Sequence, residues 1–466
     1  TVCISSIATM AANTPTAGTG AWTLIGGAGT ITTPTNPATT ITGLGVGNNI
    51  FRWTISNAPC ANSISSVTIT GVAAPSIANA GSDQTLCISS PNAIMAANSP
   101  TAGTGVWTLV SGSGTITNSL SPTTSITGLG LGINIFAWTI GNAPCASTSS
   151  TVSITVNDVP TIANAGPNQT LCISSPTTVM TANTATVGTG VWTLVSGSGV
   201  ITNSLSPTTS ITGLAVGTNV FAWTISNAPC VPSSSTISIV VQDIPTIANA
   251  GLNQTLCISS PNTLMAANTA TVGAGVWTLV SGSGVITNSL LPTTSITSLG
   301  LGINIFQWEI SNSPCSPSAS TLAIIVNDVP TTASAGSNQT ICISSPTTAM
   351  AANTATVGTG VWTLISGSGT ITNSLSPTTS ITGLAVGTNI FAWTISNAPC
   401  APSGSTISIE VKDAATISNA GSNQTLCISS PNTFMTANTA TVGIGVWSLV
   451  SGAGTITNSL SPTTSI

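Results

Sequence analysis

The sequence predicts an all-β chain, a tandem array of seven-stranded β-sandwich domains of about 85 residues each. Three observations carry that expectation. GTGVWTLVSGSG at 103–114 returns unchanged at 188–199, and with small changes at 18–29, 273–284, 358–369 and 443–454. From the second copy onward the spacing is constant at about 85 residues, too long for a short solenoid unit and suited to one small β domain per repeat. Finally, alternation of apolar and polar residues is frequent, while no segment shows helical periodicity.

Taken along residues 160 to 244, the elements follow in order. Strands are expected at 161–172, 177–182, 190–196, 199–203, 209–214, 218–226 and 235–242. The last is the clearest, with Ile237, Ile239 and Val241 on one face and Thr236 and Ser238 on the other. Trp192 and Leu194 share a face of the third strand, and SGSG after it is a tight turn built from small, φ-permissive residues. The corner GLAVGTNVFAW enters the sixth strand, with Asn219 placed to supply a hydrogen bond there, as are Asn134, Asn304 and Asn389 in other repeats.

Boundaries fall at Pro75, Pro160, Pro245, Pro330 and Ala415, giving repeats 1–74, 75–159, 160–244, 245–329, 330–414 and 415–466. Linkers such as NDV and QDI are short and mostly followed by Pro, so neighbours are expected to be semi-rigidly oriented. The first and last repeats are expected to be truncated, the last lacking its final two strands and unable to close its core. A longer natural polypeptide, or a partner chain donating the missing strands, would complete them.

Composition excludes several functions. Charged residues make up 2% of the chain, with Arg52 and Lys412 the only basic side chains and no His or Tyr. Nothing here neutralises a run of phosphates, so nucleic acid and anionic membrane surfaces are excluded as electrostatic partners. No run of 18 apolar residues exists, so no membrane insertion is expected within this segment. Without His, and with two basic residues and scattered acids, no general acid–base pair or activated nucleophile can be assembled; the chain is expected not to be an enzyme and to need no cofactor.

Each full repeat carries two cysteines about 58 residues apart, which read as a disulfide framework in an oxidising, extracellular compartment. Pairing within repeats is expected: Cys3–Cys60, Cys87–Cys145, Cys172–Cys230, Cys257–Cys315 and Cys342–Cys400, with the partner of Cys427 outside the sequence. In a simple sandwich, however, the two cysteines could lie at opposite poles. Cys145 would then reach Cys3 of the preceding repeat and staple successive repeats together.

The tryptophans come in pairs at a fixed spacing: Trp22/Trp53, Trp107/Trp138, Trp192/Trp223, Trp277/Trp308 and Trp362/Trp393, with Trp447 in the last repeat. Exposed, they would offer platforms for sugar rings; their place in alternating strands instead assigns all eleven to cores, near the disulfide. Asp158, Asp243, Asp328 and Asp413 stand at the junctions, where they are weak calcium candidates, since one carboxylate per junction is thin for a cation wanting six or more oxygens.

The strings ANAG-x-N/D-Q-T before Cys, GVWTLVSGSG, SPTTSITGLGxG and FAWTISNAPC, taken together over the whole chain, resemble the Ig-like (PKD-type) tandem repeats of large Bacteroidota cell-surface and gliding-motility-type adhesins exported by type IX secretion. The resemblance implies Ig-like sandwiches, an extracellular or cell-surface location, and a stalk or adhesive role with no catalytic residue. The functional expectation is a structural protein forming a stiff repetitive fibre, stalk or filament. Its near-neutral surface favours self-association into a filament or bundle. The alternative is an adhesin whose repeats bind polysaccharide or another cell surface directly.

Overall fold

The protein, described here by a computed structural model, is resolved over residues 1–466. It comprises two compact bodies, Thr1–Asp243 and Ile244–Ile466. Both are all-β and are built from the same repeated pair of sheets.

The repeat at 75–159 shows the plan. Its strands are β1 (Gln84–Cys87), β2 (Ala93–Ile94), β3 (Thr104–Ser111), β4 (Thr115–Ile116), β5 (Ser125–Thr127), β6 (Gly132–Asn142) and β7 (Cys145–Asn157). They form a four-stranded sheet ordered β3-β6-β7-β1 and a three-stranded sheet ordered β4-β5-β2. Seven strands in two stacked sheets make an Ig-like sandwich, and the chain is a tandem array of them. Neighbouring strands in the larger sheet are antiparallel except at its edge, where β1 runs parallel to β7 with Cys87 opposite Asn157.

Alternation explains the core. Along β6, Asn134, Phe136, Trp138 and Ile140 point inward, and along β7 Val152, Ile154 and Val156 do the same. Met95, Trp107, Ile126 and Leu129 close the other side of one cluster. Equivalent clusters centre on Trp192/Trp223, Trp277/Trp308 and Trp362/Trp393, with a smaller one at Trp22/Trp53. The paired indoles are direct cross-strand neighbours on β3 and β6 of one sheet, with ring centroids 5.2–5.3 Å apart and planes tilted by 44–46°. That tilted contact is one that aromatic quadrupoles favour.

The second indole of each pair is not equally satisfied. Trp138, Trp223 and Trp393 donate Nε1 to the Asn98, Asn183 and Asn353 carbonyls, each at 3.2 Å. Trp53 and Trp308 are as deeply buried, yet their Nε1 atoms have no hydrogen-bond partner. A buried indole N–H ordinarily finds an acceptor; Trp53 and Trp308 sit in their cores without one. Both rings still sit against the backbone of Gly20 and Gly275, where packing fixes the indole and the N–H goes unpaired.

Two expectations about elements are also corrected. In the repeat at 160–244 the first strand covers only Gln169–Cys172, not 161–172. Upstream, the Ala163 and Ala165 amides donate to the Ser233 and Ser235 hydroxyls, at 2.9 and 3.2 Å, in place of backbone carbonyls. The segment lies along the sheet without entering its ladder. In the last repeat only Phe434–Thr436 and Thr463–Ser465 pair, and Trp447 is half-buried, not a core residue. Its indole still donates to Pro462 O at 3.4 Å.

Candidate functional site at the repeat junctions

The chemistry-bearing residues gather at the ends of the sandwiches. Within a repeat, the parallel β1–β7 pairing places Cys87 beside Asn157, at the C-terminal end of β7. Cys145 begins that same strand, whose 13 residues span ~44 Å at ~3.4 Å per residue. A disulfide needs Cα atoms within about 7 Å, so the two cysteines of one repeat cannot meet.

They bridge to neighbours instead. Cys3 is bonded to Cys145, Cys87 to Cys230 and Cys257 to Cys400, each with a Cα–Cα distance of 4.9 Å. Cys172 and Cys315 are also disulfide-bonded. The expected pairs Cys3–Cys60, Cys87–Cys145, Cys172–Cys230, Cys257–Cys315 and Cys342–Cys400 are all overturned, because each has at least one member committed elsewhere. The staple from Cys145 to Cys3, the alternative pairing, is the one formed. The bridges thus lie at junctions, away from the indole pairs.

Asparagine amides flank the Cys3–Cys145, Cys87–Cys230 and Cys257–Cys400 bridges, as a reciprocal pair at the latter two. At the junction after residue 157, Asn157 Nδ2 donates to Ala228 O at 2.6 Å, and Asn227 Nδ2 donates back to Asp158 O at 2.8 Å. The Cys230 sulfur sits 3.2 Å from Asp158 O. The turn carrying it is Asn227-Ala228-Pro229-Cys230, with a cis peptide bond before the proline. In the second body the same reciprocal pair recurs as Asn327 Nδ2 to Ala398 O at 2.7 Å and Asn397 Nδ2 to Asp328 O at 2.8 Å. At the first junction Asn142 Nδ2 donates to Ala73 O at 2.8 Å, and Val72 stands where the later junction has Asn157. Two amide–carbonyl bonds and a covalent bridge on separate strands restrict rotation about the short linker. Sequence reasoning missed these asparagines as junction residues; the signal was the Asn that recurs three residues before each second cysteine, at 57, 142, 227, 312 and 397.

The corner asparagines do supply the hydrogen bonds expected of them. Asn219 is buried; its Nδ2 donates to Ala215, Gly217 and Ile239 carbonyls at 2.9–3.4 Å, and its Oδ1 accepts from Ser198 N at 2.8 Å. Asn134, Asn304 and Asn389 repeat the arrangement.

Asp158, Asp328 and Asp413 each turn Oδ1 to the next residue's amide at 2.8 Å, Asp243 is half-buried, and no three His, Cys, Asp or Glu side chains come together. Cys60, Cys342 and Cys427 carry exposed free thiols. The Ser344 hydroxyl donates to Cys342 sulfur at 3.1 Å, which, with the Ser344 amide, holds that thiol below its ordinary range. Ser429 does the same for Cys427. Ten tryptophans are buried and offer no surface to a ligand. No helix is long and apolar enough to cross a membrane.

No family model matches the chain, and no curated protein matches it. Among solved structures it is similar to titin domains I67–I69 in an E-to-A mutated variant, at 13% identity over 54% of this chain and 98% of that one, with a TM-score of 0.39. It is also similar to Sidekick-1 immunoglobulin domains 1–5, at 14% identity over 85% and 92% with a TM-score of 0.29. Drosophila OTK extracellular domains 3–5 align at 13% identity over 55% and 97%, with a TM-score of 0.29.

Proposed function

We propose that the chain is extracellular building material, a structural array of sandwich domains bounded at residues 75, 160, 245, 330 and 415 that spaces or tethers something at a cell surface. The observation that carries this reading is the bridge at each described junction, such as Cys87–Cys230 with its asparagine frame, which spends the reactive side chains on holding one domain to the next. Burial of the paired indoles supports a scaffold over a carbohydrate platform. Persistent disulfides belong to oxidising compartments, and the repeat strings favour a Bacteroidota surface protein of the adhesin class as the source.

The outer surface of the repeats is rich in Thr, Ser, Asn and Gly and carries recurring exposed aliphatics, among them Ile162, Val195 and Leu205. With almost no like-charge repulsion, lateral association of copies into a bundle completes the proposal. Adhesion through the repeats is the second reading, favoured by those same exposed aliphatics. Electron microscopy of the oxidised chain tests the first reading: straight strings of uniform curvature, singly or in bundles, are expected. Randomly bent strings would refute it, and retention on immobilised polysaccharide would favour the second reading.

A further inference from the structure

The described bridges interleave. Cys87 lies inside the loop closed by Cys3–Cys145 and bonds outside it to Cys230, so the chain carries covalent short cuts. From Cys3 the route through the bridge reaches Cys145 and then follows the backbone only from 145 to 172, where Cys172 is the counterpart of Cys3 two repeats along. Without the bridge, the route between the same points follows the backbone all the way from 3 to 172. In the second body, Cys257–Cys400 leaves only the backbone from 400 to 427 on the way to Cys427, in place of the whole stretch from 257.

We propose that the interleaved bridges act as a length limiter, so that the array keeps nearly its native length even when individual sandwiches are pulled open. Fully extended, the ~27 residues from 145 to 172 and one bridge span about 95 Å, or about 48 Å per repeat, at ~3.4 Å per residue. The longest strand of a folded repeat, 13 residues, already measures ~44 Å. Unfolding therefore releases almost no slack. Pairing within repeats would leave about 54 residues in the same path, about 190 Å, and double the reach of an opened repeat. A cysteine position that gains nothing for a single domain's closure thus becomes meaningful for the array. The limit rests on the bridge pattern alone; its use in bearing load rests on the structural reading above.

Single-molecule stretching of the full chain between click handles at Thr1 and the exposed Thr177 tests this. The oxidised protein is expected to stop extending at about 120 Å, the length of the route of about 34 residues through Cys3–Cys145. Phosphine reduction is expected to raise the limit about fivefold, to about 600 Å. Cys145→Ser is expected to stop beyond about 400 Å, with or without the Cys87–Cys230 bridge. Because the limit is read on unfolded chain, loss of stability does not obscure it. An oxidised limit of about 210 Å, the value for in-repeat pairing, or of about 600 Å would overturn the proposal. So would a Cys145→Ser limit still at about 120 Å. The short limit in strings that bend randomly by microscopy would keep the limiter and remove the stiff-stalk reading.

Discussion

Gly190 shows how tightly single residues are specified. A Cβ built there would lie 2.1 Å from Trp223 Cζ2, and Gly20, Gly105, Gly275 and Gly360 face their own tryptophans in the same way. The second indole lies flat across the strand carrying the first, and only a missing side chain leaves it room. Gly190→Ala is expected to cost about 1–3 kcal/mol by overpacking, seen as a phase of lower urea midpoint in tryptophan fluorescence. At Cys342 the governing contact is the Ser344 hydroxyl. Its hydrogen bond favours the thiolate, so alkylation should already be fast below the pH at which an ordinary thiol reacts. Ser344→Ala removes the largest cause of that lowering and is expected to move the alkylation profile to higher pH, measured with iodoacetamide across a pH series.

At the scale of elements, strand formation depends on the partner more than on the letters. GTGVWTLISGSG at 358–369 contains the strand Thr359–Ser366, paired along Trp362↔Trp393. GIGVWSLVSGAG at 443–454 is nearly the same string and forms no strand, and no strand is paired with it. Extended backbone without a ladder leaves its amides to water, and β-propensity is largely a statement about such neighbours. Trp447 should accordingly be the indole most open to solvent. Trp447→Phe is expected to remove most of the acrylamide-quenchable fluorescence while leaving the rest of the spectrum in place.

For the whole molecule, the near absence of charge is the dominant physical fact. With 2% charged residues and one ion pair, Lys412 with Glu410, little of the stability is electrostatic. Raising NaCl from about 0.05 to 1 M, which shortens the screening length several-fold, is expected to leave the thermal midpoint within about 1 °C. Sulfate, which strengthens burial of exposed aliphatics, is expected to promote bundling, followed by light scattering. A strong NaCl dependence of the midpoint would contradict this account.

Read alone, the residues determined the period, the all-β class, the seven strands of a repeat and the inward face that buries Trp192, Ile237 and Ile239. They also marked Asn219 for the corner, because alternation and turn chemistry are local properties that neighbouring residues decide. Alternation placed Trp53 and Trp308 inside as well, but whether an acceptor reaches a buried indole N–H depends on a distant loop. The chain could not show by spacing which cysteine meets which. Residues 87 and 145 look like a pair along the sequence, yet the parallel edge pairing of Cys87 with Asn157 sends them to opposite poles of one sandwich. Only the tertiary structure decided that the sulfurs join repeats and that Asn157 and Asn227 frame the junction, because separation across a sheet is set by strand order and direction, which the number of intervening residues does not encode.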